Sequence, residues 1–223
     1  MSESLKSLLV IYDSSIKSKG RDSYLKGIRK HIDNVMIVDL KDTDTLLHYN
    51  RDCILILKPM EEKKYRSICL WLRRYYPDKD IESITNEGFT ITAQALWQTI
   101  FEREHENIES KTAVIINQSP TLGIPLAKHL IDWGVNVINI NSKYKDLDNL
   151  LAFTDIDILV SASGNYEFQI DRHLTRMINT KIDLSNDLED PVKITHIPTI
   201  QVLAERLEKW YTPNWLTLNS KRT

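Results

Sequence analysis

The chain has only two cysteines, and they indicate neither a disulfide scaffold nor a metal site. Cys53 and Cys69 lie in apolar stretches and lack the paired spacing of zinc ligands. His173 and His196 likewise have no cysteine or histidine neighbour at ligand spacing, so we expect no bound metal. Structural thiols of this kind are typical of a reducing compartment, which favours the cytoplasm.

Long apolar runs and an excess of charge of either sign are also missing. No apolar stretch approaches the roughly 20 residues of a membrane-spanning helix, and the polar first residues have no signal-peptide core. The 29 Lys and Arg residues against 31 Asp and Glu residues leave a formal charge of -2, which gives no electrostatic footprint for nucleic acid or an anionic membrane. The composition therefore predicts a soluble, cytoplasmic protein without either of these partners.

What the chain does have is an alternation of short β-rich runs and segments with helical periodicity. Strands are predicted at residues 8–12, 35–40, 53–57, 112–117, 135–140, 156–161 and 180–184, and helices at 22–32, 61–76, 93–103, 122–133 and 200–210. Such an order is typical of parallel sheets wound by right-handed crossovers. The predicted fold class is therefore α/β.

We predict two lobes with a cleft between them, divided at the charged segment 102–111. Residues 1–110 are expected to form a smaller N-terminal α/β lobe on the substrate side, and residues 111–223 a C-terminal Rossmann-like lobe with a parallel sheet. Within the second lobe, residues 200–223 are a candidate to pack back on the first. For residues 213–223 two alternatives stay open, a docking segment and a frayed end.

Glycine is scarce as well, with six residues in the chain, and the shortage shows in the most informative stretch, Ala113 to Gly134. A strand of the buried type runs there into a turn and then a helix, whose unpaired N–H groups and dipole favour a phosphate. A second apolar run follows at 135–140, so the stretch has the order of half a dinucleotide-binding fold. The G-x-G-x-x-G pattern is absent, because Gly123 stands alone in the loop. We therefore predict a nucleotide site of unusual sequence.

The loop and several later motifs together resemble those of one family. Residues 117–125 have the sequence N-Q-S-P-T-L-G-I-P, in which Ser119 and Gly123 match the pattern G-R-S-x-x-V-G-x-P and Asn117 and Gln118 replace its glycine and arginine. Other motifs of the family occur in the same order as in this chain. Residues 77–83 resemble P-x-K-D-V-D-G, residues 86–88 resemble N-x-G, residues 141–143 resemble H-S-basic, and residues 156–164 resemble A-D-I-L-V-x-A-x-G. Asp183 corresponds to the aspartate of V-I-D-V-G, and Thr199 corresponds to the threonine of G-P-M-T. On these motifs the chain is identified as a divergent, shortened member of the methylenetetrahydrofolate dehydrogenase/cyclohydrolase family.

The resemblance implies a catalytic pair, a cofactor and a substrate class. Tyr24 and Glu82 fall at the positions of the family's tyrosine and aspartate, whereas the catalytic lysine position holds Ile28 and the supporting glutamine position holds Leu57. The implied cofactor is NADP, the implied substrate is a folate-type small molecule, and the implied assembly is a homodimer. The implied cofactor-binding residues are Asn117, Gln118, Ser119, Gly123, Ser142, Lys143, Gly164 and Thr199.

The end of the second strand of the nucleotide unit bears on the choice between NAD and NADP. Folds that prefer NAD usually place an acid there to hold the ribose diol, but residues 139–143 have the sequence N-I-N-S-K. Ser142 and Lys143, with Lys145 nearby, suit a 2′-phosphate instead. The alternative left open is that both lysines are solvated loop residues.

Ile28 separates the functional hypotheses. It shares a helix face with Leu25 and Ile32, which predicts a core position, and Lys26 and Lys30 lie elsewhere around the helix. Losing one general acid–base group typically costs about 10²–10⁴-fold in rate. The first hypothesis is therefore an NADP-linked dehydrogenase with weak or lost cyclohydrolase activity. The second is a catalytically inactive paralogue that serves as a nucleotide- or partner-binding module, and the third is a two-lobed dehydrogenase for another small substrate.

Overall fold

The structure is a computed structural model that describes residues 7–40, 51–84, 88–104 and 107–209. Its contacts divide the chain into two compact units, which we call unit 1 (Met1–Gly88 and Ile200–Thr223) and unit 2 (Phe89–Thr199). The division after residue 88 differs from the predicted boundary at residue 110. The segment from residue 200 groups with unit 1. The predicted cleft stays a prediction.

The described elements follow one another in an alternating order. In chain order they are β1 (Leu8–Tyr12), α1 (Lys19–His31), β2 (Val35–Asp39), β3 (Cys53–Ile56), α2 (Glu62–Tyr75), α3 (Ile91–Arg103), β4 (Thr112–Ile116), α4 (Gly123–Asp132), β5 (Asn136–Ile140), α5 (Leu147–Phe153), β6 (Ile158–Ser161), α6 (Arg172–Thr175), β7 (Thr180–Asp183) and α7 (Thr199–Lys209). None of the helices in the described ranges is long and apolar enough to cross a membrane.

Unit 1 is built on a three-stranded parallel sheet with the strand order β2-β1-β3. β1 takes the centre because its residues 8–11 are all apolar and buried, as a strand covered on both faces requires. A parallel bridge between Ile54 and Asp80 extends the sheet beyond β3. Helix α2 packs on the sheet through Tyr65 and Leu72, which lie in one apolar cluster with Leu9.

Helix α1 forms as its sequence predicts, although it begins three residues earlier than expected. The Ser18 side chain accepts a hydrogen bond from the Arg21 N–H at 3.2 Å and so caps the first turn. Leu25, Ile28 and Ile32 are all buried, which confirms the predicted core face.

A buried carboxylate fixes the loop between β1 and α1. The Asp13 side chain accepts hydrogen bonds from the Ser15 N–H and hydroxyl and from the Lys64 ammonium. The bonds from Ser15 and Lys64 outweigh burial and lower the pKa of Asp13 to about 2. The Arg21 guanidinium also donates to the backbone oxygens of Asp13 and Ile16. Helix α1, which carries Tyr24 and Ile28, is thereby held at a defined position relative to β1.

Unit 2 contains a four-stranded parallel sheet with the strand order β5-β4-β6-β7. From β4 the chain crosses to β5 on one side, and from β5 it returns past β4 to β6 and then β7 on the other side. The winding direction therefore reverses between β4 and β6. In open sheets of this kind, ligands bind at such a switch point, outside the carboxyl ends of the strands.

Helix α3 belongs to unit 2, and not to the N-terminal lobe in which the sequence analysis placed it. Its Ala93, Leu96 and Ile100 are fully buried and form one cluster with Ala113 of β4 and Leu126 of α4. The apolar face of a helix is stabilised by the sheet that it covers. The charged segment 102–111 suggested a boundary, but charge marks only the exposed end of this helix and its connection to β4.

Two short helices, α5 and α6, are absent from the sequence prediction. Helix α5 has seven residues, of which only Leu151 is buried, and α6 has four. Segments this short contain too few turns for an apolar repeat to be recognised. Both helices lie in the crossovers that connect β5, β6 and β7, where the fold requires a connection but the sequence shows little periodicity.

Candidate functional site

Asn117, the first residue after β4, organises the nucleotide-type loop. Its Oδ1 accepts hydrogen bonds from the N–H groups of Ser119 (2.9 Å) and Gly123 (3.0 Å), and its Nδ2 donates to the Ala162 oxygen (2.7 Å). Ala162 directly follows β6, so this side chain spans the switch point between β4 and β6. The Ile124 N–H is bonded to the Ser119 oxygen. N–H groups that the sequence analysis assigned to a phosphate are therefore occupied by groups of the loop itself.

Gly123 is required by the close approach of α4 to the end of β4. A Cβ atom at this position would lie 1.6 Å from the backbone oxygen of Asn117. Asn139 of β5 holds the same region, because its Nδ2 donates to the backbone oxygens of Asn117 (3.1 Å) and Gly123 (3.3 Å). Position 123 has no space for a side chain, and glycine is therefore required by the shape of the loop.

Gln118 and the residues after β5 form a polar group at the neighbouring strand end. Gln118 donates through Nε2 to the Asn139 oxygen and accepts through Oε1 from Asn141 Nδ2, both at 2.9 Å. The Asn141 Oδ1 in turn accepts the Lys143 N–H at 2.9 Å. Ser142 is half-buried and Lys143 is exposed. Residues 136–143 contain no acid, so these groups suit an anion and lack the acid that usually holds the ribose diol of NAD.

The carboxyl end of β6 carries a network that the sequence analysis missed. The hydroxyls of Ser161 and Ser163 both donate to the Asp187 carboxylate at 2.6 Å. Gly164, a predicted cofactor residue, is exposed with φ +66°, and its N–H donates to the Ser185 hydroxyl at 3.0 Å. Asp187 is fully buried, and a loop acid four residues beyond a buried strand is the one sequence signal that could have revealed it.

Asp183, at the position of the family's aspartate at the end of β7, is bound by the chain segment that follows it. Its carboxylate accepts four hydrogen bonds, from the N–H groups of Ser185, Asp187 and Leu188 and from the Lys193 ammonium. Burial alone raises the pKa of Asp183, but the bonds from Lys193, Leu188 and Asp187 together outweigh it and lower the pKa below its usual value. The carboxylate thus holds the segment after β7 in place.

Seven of the eight predicted cofactor residues lie at one edge of the unit 2 sheet. They follow the carboxyl ends of three parallel strands, with Asn117, Gln118, Ser119 and Gly123 after β4, Ser142 and Lys143 after β5, and Gly164 after β6. The eighth, Thr199, is the first residue of α7, where its N–H donates to the Ile197 oxygen at 2.8 Å. The edge is the one at which parallel α/β sheets bind their ligands.

The predicted catalytic pair, Tyr24 and Glu82, lies in unit 1 and interacts electrostatically. Tyr24 is half-buried on α1, and Glu82 is buried two residues beyond the bridge between Ile54 and Asp80. Burial raises the pKa of the Tyr24 phenol, and the negative charge of Glu82 raises it further. The phenol is therefore held neutral and can donate a hydrogen bond.

In unit 1, the positions of the family's lysine and glutamine are part of the apolar core. Ile28 is 0% exposed and Leu57 is 7% exposed. The Leu57 N–H donates to the Ile11 oxygen at 2.9 Å, which continues the pairing of β3 with β1. Lys26 and Lys30, the other candidates on α1, are exposed. Neither lysine takes the place of the one that Ile28 replaces.

Arg206 of α7 is a further charged group of unit 1 that the sequence analysis missed. It is buried, and its Nη1 donates to the Ile81 oxygen at 2.8 Å. Burial lowers the pKa of Arg206, and the charges of Glu82 and Asp80 oppose that effect. The signal that could have revealed it is its position on the apolar face of α7, where a core residue is expected.

Comparison with known proteins bears first on unit 2. Residues 90–186 match the family described as "Tetrahydrofolate dehydrogenase/cyclohydrolase, NAD(P)-binding domain". This part of the chain therefore resembles the cofactor-binding domain of the methylenetetrahydrofolate dehydrogenase/cyclohydrolase family. The matched range begins just before α3 and ends three residues after β7. It contains seven of the eight predicted cofactor residues, and it confirms the family that the motifs indicated.

Relatives of known sequence are similar over part of their length. The bifunctional protein FolD of Clostridium tetani is 33% identical over 119 residues, which are 48% of this chain and 39% of that protein. The bifunctional protein FolD of Dictyoglomus thermophilum is 28% identical over 146 residues, 60% of this chain and 50% of that protein. The chain thus spans about half or less of the length of these curated relatives.

Solved structures of the family share the fold. The NADP- and inhibitor-bound methylenetetrahydrofolate dehydrogenase-cyclohydrolase of Trypanosoma brucei superimposes with a TM-score of 0.71 at 18% identity, over 92% of this chain and 86% of that chain. The NAD-dependent 5,10-methylenetetrahydrofolate dehydrogenase of Saccharomyces cerevisiae does so with a TM-score of 0.68 at 13% identity, over 95% and 89%. These likenesses confirm the predicted α/β fold class with parallel sheets.

Proposed function

We propose that the chain is a divergent methylenetetrahydrofolate dehydrogenase of one-carbon folate metabolism that uses NADP and has weak or no cyclohydrolase activity. One observation carries the proposal: the NAD(P)-binding domain of the family is retained, while the lysine position in unit 1 is filled by the fully buried Ile28. A homodimer and a cytoplasmic location stay predictions of the family resemblance and the composition.

Unit 1 retains two polar groups for a folate-type substrate. The Glu82 carboxylate can accept N–H groups of a pterin, and the neutral Tyr24 phenol can donate a hydrogen bond. Oxidation of the methylene carbon leaves a cation on the folate, and a nearby carboxylate favours that charge. Hydrolysis of this cation also needs a group that moves a proton to or from water. With apolar Ile28 at the catalytic lysine position and apolar Leu57 at the supporting glutamine position, that step has lost its general acid–base residue.

The strand ends of unit 2 support NADP rather than NAD. The amides of Gln118 and Asn141, the Ser142 hydroxyl and the Lys143 ammonium provide neutral or positive donors at the end of β5. This donor set fits a 2′-phosphate. When bound, the nicotinamide supplies the acceptor for the hydride. The chain's own residues hold the two ligands and exclude competing orientations.

The proposal is tested by calorimetric titration of the full chain with NADP, NAD and tetrahydrofolate, together with an absorbance assay for the methenyl product. We expect binding of NADP in preference to NAD, binding of the folate, and formation of the methenyl product with little subsequent hydrolysis. Failure to bind either ligand would contradict the proposal. Rapid hydrolysis of added methenyl-folate would contradict the claim about the cyclohydrolase step.

The position of Asn117 favours a second candidate function, a catalytically inactive paralogue that serves as a nucleotide- or partner-binding module. The Asn117 carboxamide occupies two loop N–H groups and spans the switch point to Ala162. A dinucleotide must therefore bind without these donors or displace the side chain. Competition between the Asn117 side chain and the dinucleotide for these N–H groups weakens cofactor binding. Weaker binding is a disadvantage for an enzyme that needs the cofactor for catalysis, but not for a protein without catalytic activity.

Replacing Asn117 by glycine, the family residue, is expected to tighten NADP binding by about 10-fold or more. The change frees the N–H groups of Ser119 and Gly123, and a hydrogen bond to a charged phosphate contributes about 1.5–3 kcal/mol. Asn136→Gly at the opposite edge of the same sheet is the matched control and should leave the dissociation constant unchanged. An unchanged or weaker affinity of folded Asn117→Gly would show that the loop does not hold phosphate.

A further inference from the structure

Arg206 binds the backbone of the residue next to Glu82, one member of the predicted catalytic pair. It is 6% exposed on α7, and its Nη1 lies 2.8 Å from the oxygen of Ile81. Ile81 stands between Asp80 and Glu82, which are also buried. Burying a guanidinium is costly unless carboxylates and hydrogen-bond acceptors compensate it. The segment of residues 80–82 supplies both kinds of group.

Three separate parts of unit 1 meet at this cluster. Helix α1 packs against α7, since a Cβ atom at Gly27 would lie only 3.1 Å from the Cδ1 atom of Ile200. The negative charges of Asp80 and Glu82, on either side of Ile81, favour the charged form of the Arg206 guanidinium, whose Nη1 donates to the Ile81 oxygen. A positive charge is therefore bound to the segment that carries Glu82, although the α1 position that provides it in the family is the apolar Ile28.

We propose that Arg206 is a positioning residue for the Glu82 carboxylate, and that it replaces the charge of the missing lysine without replacing its proton transfer. The inference rests on the proposed function. A guanidinium stays protonated in proteins, so it cannot serve as a general acid or base. Its planar donor groups can hold a carboxylate in one orientation and leave the remaining lone pairs to a ligand. Alignment of a folate for dehydrogenation is then retained, and hydrolysis is not.

Removal of the guanidinium tests the proposal through folate binding. We expect Arg206→Met to raise the dissociation constant of tetrahydrofolate, and the KM for the methylene substrate, by about 10-fold or more, with a much smaller change in kcat. Arg206→Lys keeps the charge but not the planar donor groups, and should restore part of the affinity. Arg29→Met removes an exposed arginine from α1 of the same unit and should change neither quantity.

A double-mutant cycle shows whether Arg206 acts through Glu82. In a Glu82→Gln background, Arg206→Met should weaken tetrahydrofolate binding by less than about 3-fold, because the carboxylate that it positions is already gone. An equal loss of affinity in both backgrounds would overturn the proposal. Failure of Arg206→Lys to restore any affinity would do the same, since a purely structural arginine depends on its shape and not on its charge.

A second cycle, on thermal unfolding without ligand, separates this inference from the proposed function. We expect the melting temperatures of Arg206→Met, Glu82→Gln and the double variant to depart from additivity by about 3 °C or more. Additive shifts would overturn the pairing of Arg206 with Glu82, whatever the protein binds. If wild-type protein binds no folate, the proposed function fails, and the thermal cycle still decides the pairing.

Discussion

Replacing Ile28 by lysine is expected to destabilise the protein by about 3–5 kcal/mol, because an uncompensated charge is then buried. Ile28 is 0% exposed on the core face of α1, between the buried Leu25 and Ile32. The lysine has only two ways to avoid the cost, which are to lose its proton or to bend towards Glu82. Chemical denaturation at pH 7 measures the change in the free energy of unfolding.

Two control variants separate the charge of the lysine from its shape. Ile28→Met keeps an apolar side chain of similar volume and should cost less than about 1.5 kcal/mol. Ser23→Lys adds the same charge at an exposed position of α1 and should lie within about 0.5 kcal/mol of wild type.

The destabilisation by Ile28→Lys should also depend on pH. Burial favours the neutral amine, so the folded-state pKa of this lysine falls below its unfolded value of about 10.4. The destabilisation is then largest at a pH below the folded-state pKa, and it decreases as the pH rises towards about 10. A cost that is small at pH 7 and independent of pH would show that the lysine reaches Glu82 and that the catalytic pocket of the family persists. In that event, the double variant with Leu57→Gln should regain hydrolysis of the methenyl product.

Replacing Gly123 by alanine is expected to cost about 3 kcal/mol of stability and to abolish dinucleotide binding. The added Cβ atom would lie 1.6 Å from the backbone oxygen of Asn117. Because the obstacle is backbone, no rotamer change relieves it, and the start of α4 must move away from β4. The movement breaks the hydrogen bonds of Asn117 to Gly123 and of Asn139 to both residues. Thermal unfolding and NADP titration measure the two losses.

Gly20→Ala is the matched control for this substitution. Gly20 lies in the first turn of α1, and a Cβ atom there meets nothing within 4 Å. Alanine at this position should be neutral or stabilise the protein by up to about 1 kcal/mol, because it restricts the unfolded chain and favours the helix. If Gly123→Ala were as harmless as Gly20→Ala, the close packing of α4 on the end of β4 would be wrong.

The apolar patterns of the sequence were sufficient to predict the class of fold. The strands β1 and β4 are almost continuous apolar runs, which is what a parallel strand covered on both faces requires. The buried face of α1 follows from the spacing of Leu25, Ile28 and Ile32 alone. Likewise, the order of the motifs in the second half of the chain predicted the family that residues 90–186 match.

The unit to which α3 belongs could not be predicted from the sequence. Periodicity shows that Ala93, Leu96 and Ile100 need an apolar partner, but it does not show which sheet provides that partner. The same limit applies to Arg206, which is separated from Ile81 by 125 residues in the chain. Contacts between residues so distant in sequence follow from the three-dimensional arrangement of the elements and leave no local pattern.

The sequence by itself determined that the chain is an α/β protein with a family loop of unusual composition and an apolar residue at the lysine position. These features depend on which residues are present and on their spacing, and both can be read along the chain. Only the tertiary structure decided what the unusual residues do, with Asn117 bound to the N–H groups of its own loop and Arg206 bound to the oxygen of Ile81, the residue before Glu82. The reason is physical: the partner of a polar group depends on which donors and acceptors lie within about 3 Å after folding.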